Sequence, residues 1–60
     1  MKHYTLVLWT PGESETTSIT FAAGDLFAAE LIAKAVQRYQ GAAVAQLDDD
    51  KGFTLYQYKL

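Results

Sequence analysis

The sequence contains no cysteine, a single proline and a single histidine. Without cysteine there is no disulfide staple, no thiolate nucleophile and no zinc site with cysteine ligands. His3 has no second ligand or base at helical or strand spacing, so we expect neither a catalytic nor a metal role for it. A chain of 60 residues is also too short for a deep substrate cleft. Its stability must come from packing, consistent local signals or oligomerisation.

Positive charge is scarce and dispersed along the chain. Five lysines and arginines stand against seven acidic residues, and the sequence pI is about 5.0. Because binding to a phosphate backbone needs a concentrated basic patch, a nucleic-acid partner is disfavoured. No apolar run approaches the roughly 18 residues that span a bilayer. No signal-peptide pattern precedes the first strand-like segment. We therefore expect a cytoplasmic protein without a membrane partner.

The remaining sequence predicts two hairpins around a helix. Runs rich in β-branched and aromatic residues predict strands at residues 4–9, 16–21, 42–47 and 53–58. Leu26–Gln40 is alanine-rich without proline or glycine, and Asp25 and Gly41 suit its N-cap and its C-terminal stop. Pro11-Gly12 and the segment 48–52 predict the two hairpin turns.

This order predicts one α+β domain, residues 1–60, with a ββαββ plan. We expect a four-stranded sheet with one helix packed on one face, because one apolar face must cover another. The preferred arrangement places the first and last strands at the centre, side by side and parallel, with the helix as the crossover. The alternative joins the sheet through the second and third strands.

Alternation along each strand predicts which residues are buried. The broad apolar stripe of the helix is expected to pack against these strand residues. The predicted core comprises Tyr4, Leu6, Leu8, Thr17, Ile19, Phe21, Ala43, Ala45, Leu47, Phe53 and Leu55 from the strands, with Phe27, Leu31, Ile32, Ala35, Val36 and Tyr39 from the helix. The small residues Ala29 and Ala33 then face outward, where they would admit a partner helix, although alanine is also the default helix former.

Large side chains also alternate with these core residues along the strands. They lie on the sheet face opposite the helix, which one helix cannot cover. With the first and last strands adjacent, Val7, Trp9, Tyr56 and Tyr58 form one contiguous patch on the open face of the sheet. Tyrosine and tryptophan are enriched at interface hot spots, so this patch is the predicted protein-binding surface. The alternative is that these residues are strand formers that pair across an exposed sheet.

The acidic run Asp48, Asp49 and Asp50 does not predict a calcium loop, because no downstream carboxylate follows it. It predicts a solvated hairpin turn that offers a partner a charged rim. Ser14 and Ser18 have no activating base, and the isolated glycines form no phosphate cradle. The sequence therefore predicts no catalytic residue, no cofactor and no metal.

The hairpin–helix–hairpin layout resembles the immunoglobulin-binding domains of streptococcal protein G. The likeness rests on Y-T-L-V-L at 4–8, E-T-T at 15–17, the alanine-rich helix and F-T-L at 53–55. That family binds antibody through its helix and third strand. Glu30, Lys34, Gln37 and Val44 match no transferable motif of it, so antibody binding is not carried over. Small bacterial and phage-type ββαββ proteins are similar in layout, with Gly41-Ala42 and an aspartate-rich turn ending in Gly52.

The sequence thus predicts a non-enzymatic protein-interaction module, a small adaptor or inhibitor that docks through the open sheet face. Three alternatives stay open. One is a homodimer joined through that face or an edge strand. The second is a single-stranded nucleic-acid binder that stacks bases on Trp9, Tyr56 and Tyr58, which the charge disfavours. The third is a designed scaffold without a function, because the local signals agree so well.

Overall fold

Two hairpins flank one helix, as the sequence predicts. A computed structural model describes all residues, 1–60, and confirms an α+β fold with one helix and a four-stranded sheet. The elements are β1 (Lys2–Trp9), β2 (Thr17–Ala23), α1 (Leu26–Gln40), β3 (Val44–Asp49) and β4 (Thr54–Lys59). The strand ends agree with the predicted ones to within two residues, and the helix bounds agree.

Both ends of α1 are closed by the residues that predicted them. The Asp25 carboxylate accepts a hydrogen bond from the Ala28 amide at 2.8 Å, which satisfies one free donor of the first turn. Gly41 adopts the left-handed conformation, with φ 68°, and its amide donates to the Arg38 carbonyl. The Ala42 amide donates to the Gln37 carbonyl at 3.1 Å, which completes a Schellman motif.

The strand order differs from the prediction. It is β2-β1-β3-β4 and every neighbouring pair is antiparallel, so β1 and β3 are central and β4 is an edge. The expected parallel pairing of the first and last strands is wrong, and so is the alternative joining through the second and third. Strands β2 and β3 run parallel on either side of β1, and α1 crosses over β1 to connect them.

The burial of β3 and β4 gives the physical reason for this order. A central strand is covered more completely than an edge strand, and Ala45 and Leu47 of β3 are fully buried. Every residue of β4 is exposed or half-buried. The polar tips of its tyrosines and its terminal Lys59 suit an edge, where lysine also discourages further strand pairing. The crossover that was expected between β1 and β4 instead joins β2 to β3, on either side of β1.

The helix is rotated relative to the predicted orientation. Ala29 and Ala33 face the sheet and are 0% exposed, and Gln37 beside them is 3% exposed. Val36 is half-buried, but most of the predicted inward stripe faces away from the sheet. The exposed members are Phe27, Leu31, Ile32, Ala35 and Tyr39. Alanine has no bulk beyond Cβ, so this orientation lets α1 lie close to the leucines of the sheet.

A β-bulge in β4 moves the final tyrosines to the helix side of the sheet. Leu47 pairs with Tyr56, but Asp48 pairs with Thr54, so Leu55 is an extra residue in the strand. One extra residue reverses the side-chain parity of everything after it. Leu55 still packs against the core, as predicted. Tyr56 and Tyr58 share the face of Leu47 and Ala45 instead of the open face.

The core that results is small and rich in alanine. Tyr4, Leu6, Leu8, Ala45 and Leu47 are buried as predicted, and Ile19 and Phe21 pack against them from the edge. The Tyr4 and Phe21 rings stack, with their centroids 5.8 Å apart. Thr17, Ala43 and Phe53, which were also expected in the core, are exposed. Only three large side chains, Leu6, Leu8 and Leu47, are fully buried.

Two alanine substitutions test the orientation of the helix. Ala33→Leu places a larger side chain at a buried position between α1 and the sheet. We expect this overpacking to lower the free energy of unfolding by about 1–3 kcal/mol. Ala35→Leu adds the same bulk on the exposed face, so its effect should stay within about 0.5 kcal/mol. Urea unfolding followed by circular dichroism measures both. The reverse ranking would support the orientation that the sequence predicted.

Candidate protein-interaction surface

The structure divides the four predicted patch residues between two faces. Val7 and Trp9 belong to the open face, because the residues that alternate with them on β1, Leu6 and Leu8, are buried under α1. Tyr56 and Tyr58 lie on the opposite face, where Tyr58 contacts Glu30 of the helix. No contiguous surface contains all four side chains, so the patch expected from the sequence does not form.

Tyr58 joins the edge strand to the helix. Its hydroxyl donates a hydrogen bond to Glu30 Oε1 at 3.0 Å, and Lys34 Nζ lies 5.6 Å from the centroid of its ring. The Tyr56 ring stacks on the Tyr58 ring, with the two centroids 6.2 Å apart. Burial raises the pKa of the Tyr58 hydroxyl well above its ordinary value, and the hydrogen bond and charge of Glu30 raise it further. This arrangement favours the neutral phenol and fastens β4 to α1.

Gln37 strengthens the same junction from within. Its Nε2 donates to the Tyr58 carbonyl at 2.9 Å, so the one buried polar side chain is satisfied. Because a buried amide without a partner is costly, this bond explains why a glutamine is accommodated between the alanines and the edge strand. The residues around Tyr58 therefore have a structural role.

Polar side chains cover much of the open face of the sheet. Gln57 Nε2 donates to Gln46 Oε1 at 3.2 Å, and Gln46 Nε2 donates to the Asp48 carboxylate at 3.0 Å. Trp9 pairs with Val44 on this face, next to Val7. The apolar part of the open face is therefore confined to one end of β1 and β3.

The three aspartates of the predicted rim also have separate environments. Asp48 belongs to the open-face hydrogen-bond network. Asp49 Oδ1 accepts hydrogen bonds from the amides of Lys51 and Phe53, each at 2.9 Å, and so closes the β3–β4 turn. Asp50 is exposed at that turn. Asp49 is thus a turn-forming residue, and the exposed member of the run is Asp50.

The largest exposed apolar surface is on α1. We call Phe27, Leu31, Ile32, Ala35 and Tyr39 the outer stripe. Successive helical residues advance by about 100°, so these five share one face. Phe27 is 70% exposed, Leu31 56%, Ile32 38% and Tyr39 89%. Their combined exposed area is on the order of 500 Å², comparable to the largest and often functional patches on soluble monomers.

The helical period predicts the outer stripe as an apolar face but places it in the core, which the structure contradicts. A helix with apolar residues on two faces gives two candidate inward faces, and periodicity alone does not separate them. The signal that distinguishes them is side-chain size, because the small face of Ala29 and Ala33 permits the closer approach to the sheet.

The two grooves of the molecule lie at its ends. One, of about 400 Å³, is lined by groups of both charge signs, including His3, Asp49 and Lys51. The other, of about 410 Å³, is bordered by Lys34, Arg38 and Lys59. No cluster of three or more histidine, aspartate or glutamate side chains is arranged to hold a metal ion. The single helix is not long and apolar enough to cross a membrane.

No protein-family model, curated protein or solved structure matches the chain. The interpretation of the outer stripe therefore rests on the residues of this chain and their arrangement.

The Tyr58 contact predicts a specific response to alkaline pH. The folded-state pKa of Tyr58 is raised above the ordinary value of 10.0. Its stabilising contribution is therefore complete below about pH 10 and is lost as the pH rises toward the folded-state value. We expect Tyr58→Phe to cost about 1 kcal/mol at neutral pH and to make stability less sensitive to pH above about 10.

Urea unfolding at neutral and alkaline pH measures both effects. Tyr39→Phe is the matched control, because Tyr39 is 89% exposed and its ring lies on the outer stripe, away from β4. Parallel alkaline profiles for the wild type and the Tyr58→Phe variant would show that the Glu30 contact contributes nothing.

Proposed function

We propose that the chain is a non-enzymatic protein-interaction module that docks through the outer stripe of α1. The observation that supports this proposal is the exposure of Phe27, Leu31, Ile32 and Tyr39 on a helix whose alanines face the sheet. Burying such side chains against a partner is favourable in proportion to the apolar area removed from water. A small adaptor or inhibitor that presents a helix fits this geometry.

The spacing of the stripe suits recognition along a helix. Phe27, Leu31, Ala35 and Tyr39 recur every four residues, so neighbouring members stand one above the other on one side of the helix. Helices that dock in grooves also place their anchors on one side. The two aromatic residues stand at the ends of the stripe and Leu31 near its middle. Tyrosine is among the residue types enriched at binding hot spots. The rigid helix, capped at both ends, presents these side chains with little ordering cost.

The open sheet face is the weaker docking surface. Its hydrogen-bonded glutamines and Asp48 would have to be desolvated, and its apolar part is limited to Val7, Trp9 and Val44. Tyr56 and Tyr58 add nothing to it, since they face the helix. The same separation argues against nucleic-acid binding, because Trp9 and the two tyrosines do not form one stacking platform.

The arrangement of polar residues supports the non-enzymatic part of the proposal. His3 is exposed near the beginning of β1, and Ser14 and Ser18 are exposed without a hydrogen bond to a base. The side-chain hydrogen bonds of Asp25, Asp49, Gln37 and Glu30 cap the helix, close a turn or fasten β4. Neither serine is therefore placed beside an activating group.

Site-specific photocrosslinking tests the docking surface. A benzoylphenylalanine introduced at Leu31, in cells of the source organism, should form protein adducts that excess unlabelled protein suppresses. The same probe at Thr20 is the matched control, because Thr20 is exposed on the open sheet face. Adducts should depend on the outer stripe and disappear when Tyr39→Ser is combined with the Leu31 probe.

Circular dichroism of each variant verifies that the fold is retained, since changes at exposed positions rarely exceed about 0.5 kcal/mol. Equal adduct formation from Thr20 and Leu31, or none from Leu31, would contradict docking through the outer stripe.

A further inference from the structure

We infer that the occupant of the outer stripe is a second copy of this chain, with the two α1 helices packed antiparallel across a two-fold axis. This inference rests on the proposed docking role of the stripe and names its partner. A two-fold interface places the same patch on both subunits, so the patch has to be complementary to itself. The outer stripe meets that requirement in side-chain size, charge and area.

The order of large and small residues along the stripe is self-complementary. With the two-fold axis level with residue 33, residue i of one helix faces residue 66 − i of the other. Phe27 and Tyr39 lie about 9 Å on either side of that level, at opposite ends of the stripe, so each aromatic lies at the axial level of the other type in the second copy. Leu31 in turn meets Ala35, and this pairing of large with small lets the two helices approach closely.

The charged flank of the stripe is complementary in the same register. Glu30, Lys34 and Arg38 follow one another at four-residue spacing along one side of α1. Equivalent flanks face each other in an antiparallel pair, and Arg38 comes within about 3 Å axially of the level of Glu30 in the second copy. Tyr58 occupies only Oε1 of Glu30, which leaves Oε2 for this contact. Two symmetric Arg38–Glu30 pairs therefore flank the apolar centre, and each Lys34 stays over the Tyr58 ring of its own copy.

The available area is sufficient for a weak dimer. The four large side chains expose on the order of 500 Å², and Ala35 with the stems of Lys34 and Arg38 brings the area to about 600 Å² per copy. That value is at the lower end of specific interfaces, which bury about 1,200 Å² in total. We therefore expect a dissociation constant on the order of micromolar, with monomers at high dilution.

The edges of the sheet are poorer docking surfaces for a second copy than the helix is. Strand β4 is an edge, but its bulge at Leu55 and its terminal Lys59 discourage pairing with another strand. Strand β2, the other edge, carries exposed Thr17, Ser18 and Thr20 and has little apolar area outside the core.

Sedimentation equilibrium of the purified chain, from low micromolar to millimolar concentration, tests the dimer. We expect a concentration-dependent dimer whose dissociation constant rises by more than about tenfold in Leu31→Asp. Thr20→Asp places the same charge on the open sheet face and should leave it unchanged. A monomer at all concentrations, or an equal effect of the two substitutions, would overturn the inference.

A charge exchange tests the antiparallel register. Glu30→Arg and Arg38→Glu each place like charges opposite one another, so each variant alone should dimerise more weakly than the wild type. Mixed in equal amounts, the two variants should form heterodimers. The two introduced charges then face each other, and the native Arg38 of one variant faces the native Glu30 of the other. Native mass spectrometry measures the heterodimer fraction. A mixture that dimerises no better than its components would overturn the register.

Folding and partner identity are controlled separately. Glu30→Arg removes the acceptor of the Tyr58 hydroxyl, so Glu30→Gln, which retains an acceptor, replaces it in the mixture if the first variant unfolds. Heterodimers should then be fewer but should still exceed the Arg38→Glu homodimers. If the purified chain stays monomeric while the Leu31 photocrosslink captures a different protein, the dimer is wrong and the proposed docking function stands. If both assays are negative, both proposals fail.

Discussion

The contact of Ala29 and Ala33 with the sheet determines most of what is distinctive in this molecule. A helix that approaches a sheet through methyl groups lies close to it, and the core between them needs only a few large side chains, here Leu6, Leu8 and Leu47. The same contact directs the larger apolar residues of α1 away from the sheet. A chain of 60 residues has little core to lose, so this allocation of its bulkiest helical side chains is costly unless a partner covers them.

The edge strand is held by polar chemistry where the apolar core ends. Few β4 side chains are well covered, and the strand contains a bulge. The ladder with β3 holds it in the sheet, and its attachment to α1 depends on the Tyr58 hydroxyl bonded to Glu30 and on Gln37 bonded to the Tyr58 carbonyl. The bulge is what makes this possible, because it brings Tyr56 and Tyr58 to the side of the sheet on which α1 lies. Residues that looked like an interaction patch thereby become part of the framework.

The candidate site is identified by setting aside the surfaces whose residues already have structural contacts. Asp25 caps the helix and Asp49 closes a turn. Gln46 and Gln57 are hydrogen-bonded on the open sheet face, and Tyr58 bonds to Glu30 of the helix. The outer stripe of α1 carries more exposed large apolar side chains than the open sheet face, where Trp9 lies beside Val7 and Val44. The sequence shows the residues of the outer stripe as an apolar helical stripe, but periodicity does not tell whether that stripe faces the sheet or the solvent. The site was therefore predictable in composition and not in position.

The sequence by itself determined the features that depend on near neighbours. Asp25 and Gly41 define the helix ends because their caps involve residues three or four positions away, and the alternation in β1 names Leu6 and Leu8 as core. Tertiary structure decided the strand order, the rotation of α1 and the side of the sheet on which Tyr56 and Tyr58 lie. Each of these depends on elements that are distant in sequence. The strand order depends on whether β3 or β4 pairs with β1, and the rotation of α1 on whether its alanines or Phe27 and Leu31 face the sheet. The side on which the tyrosines lie depends on the extra residue of β4 next to the pair of Leu47 and Tyr56. Local propensity is nearly the same for both outcomes of each comparison, so only the packed structure separates them.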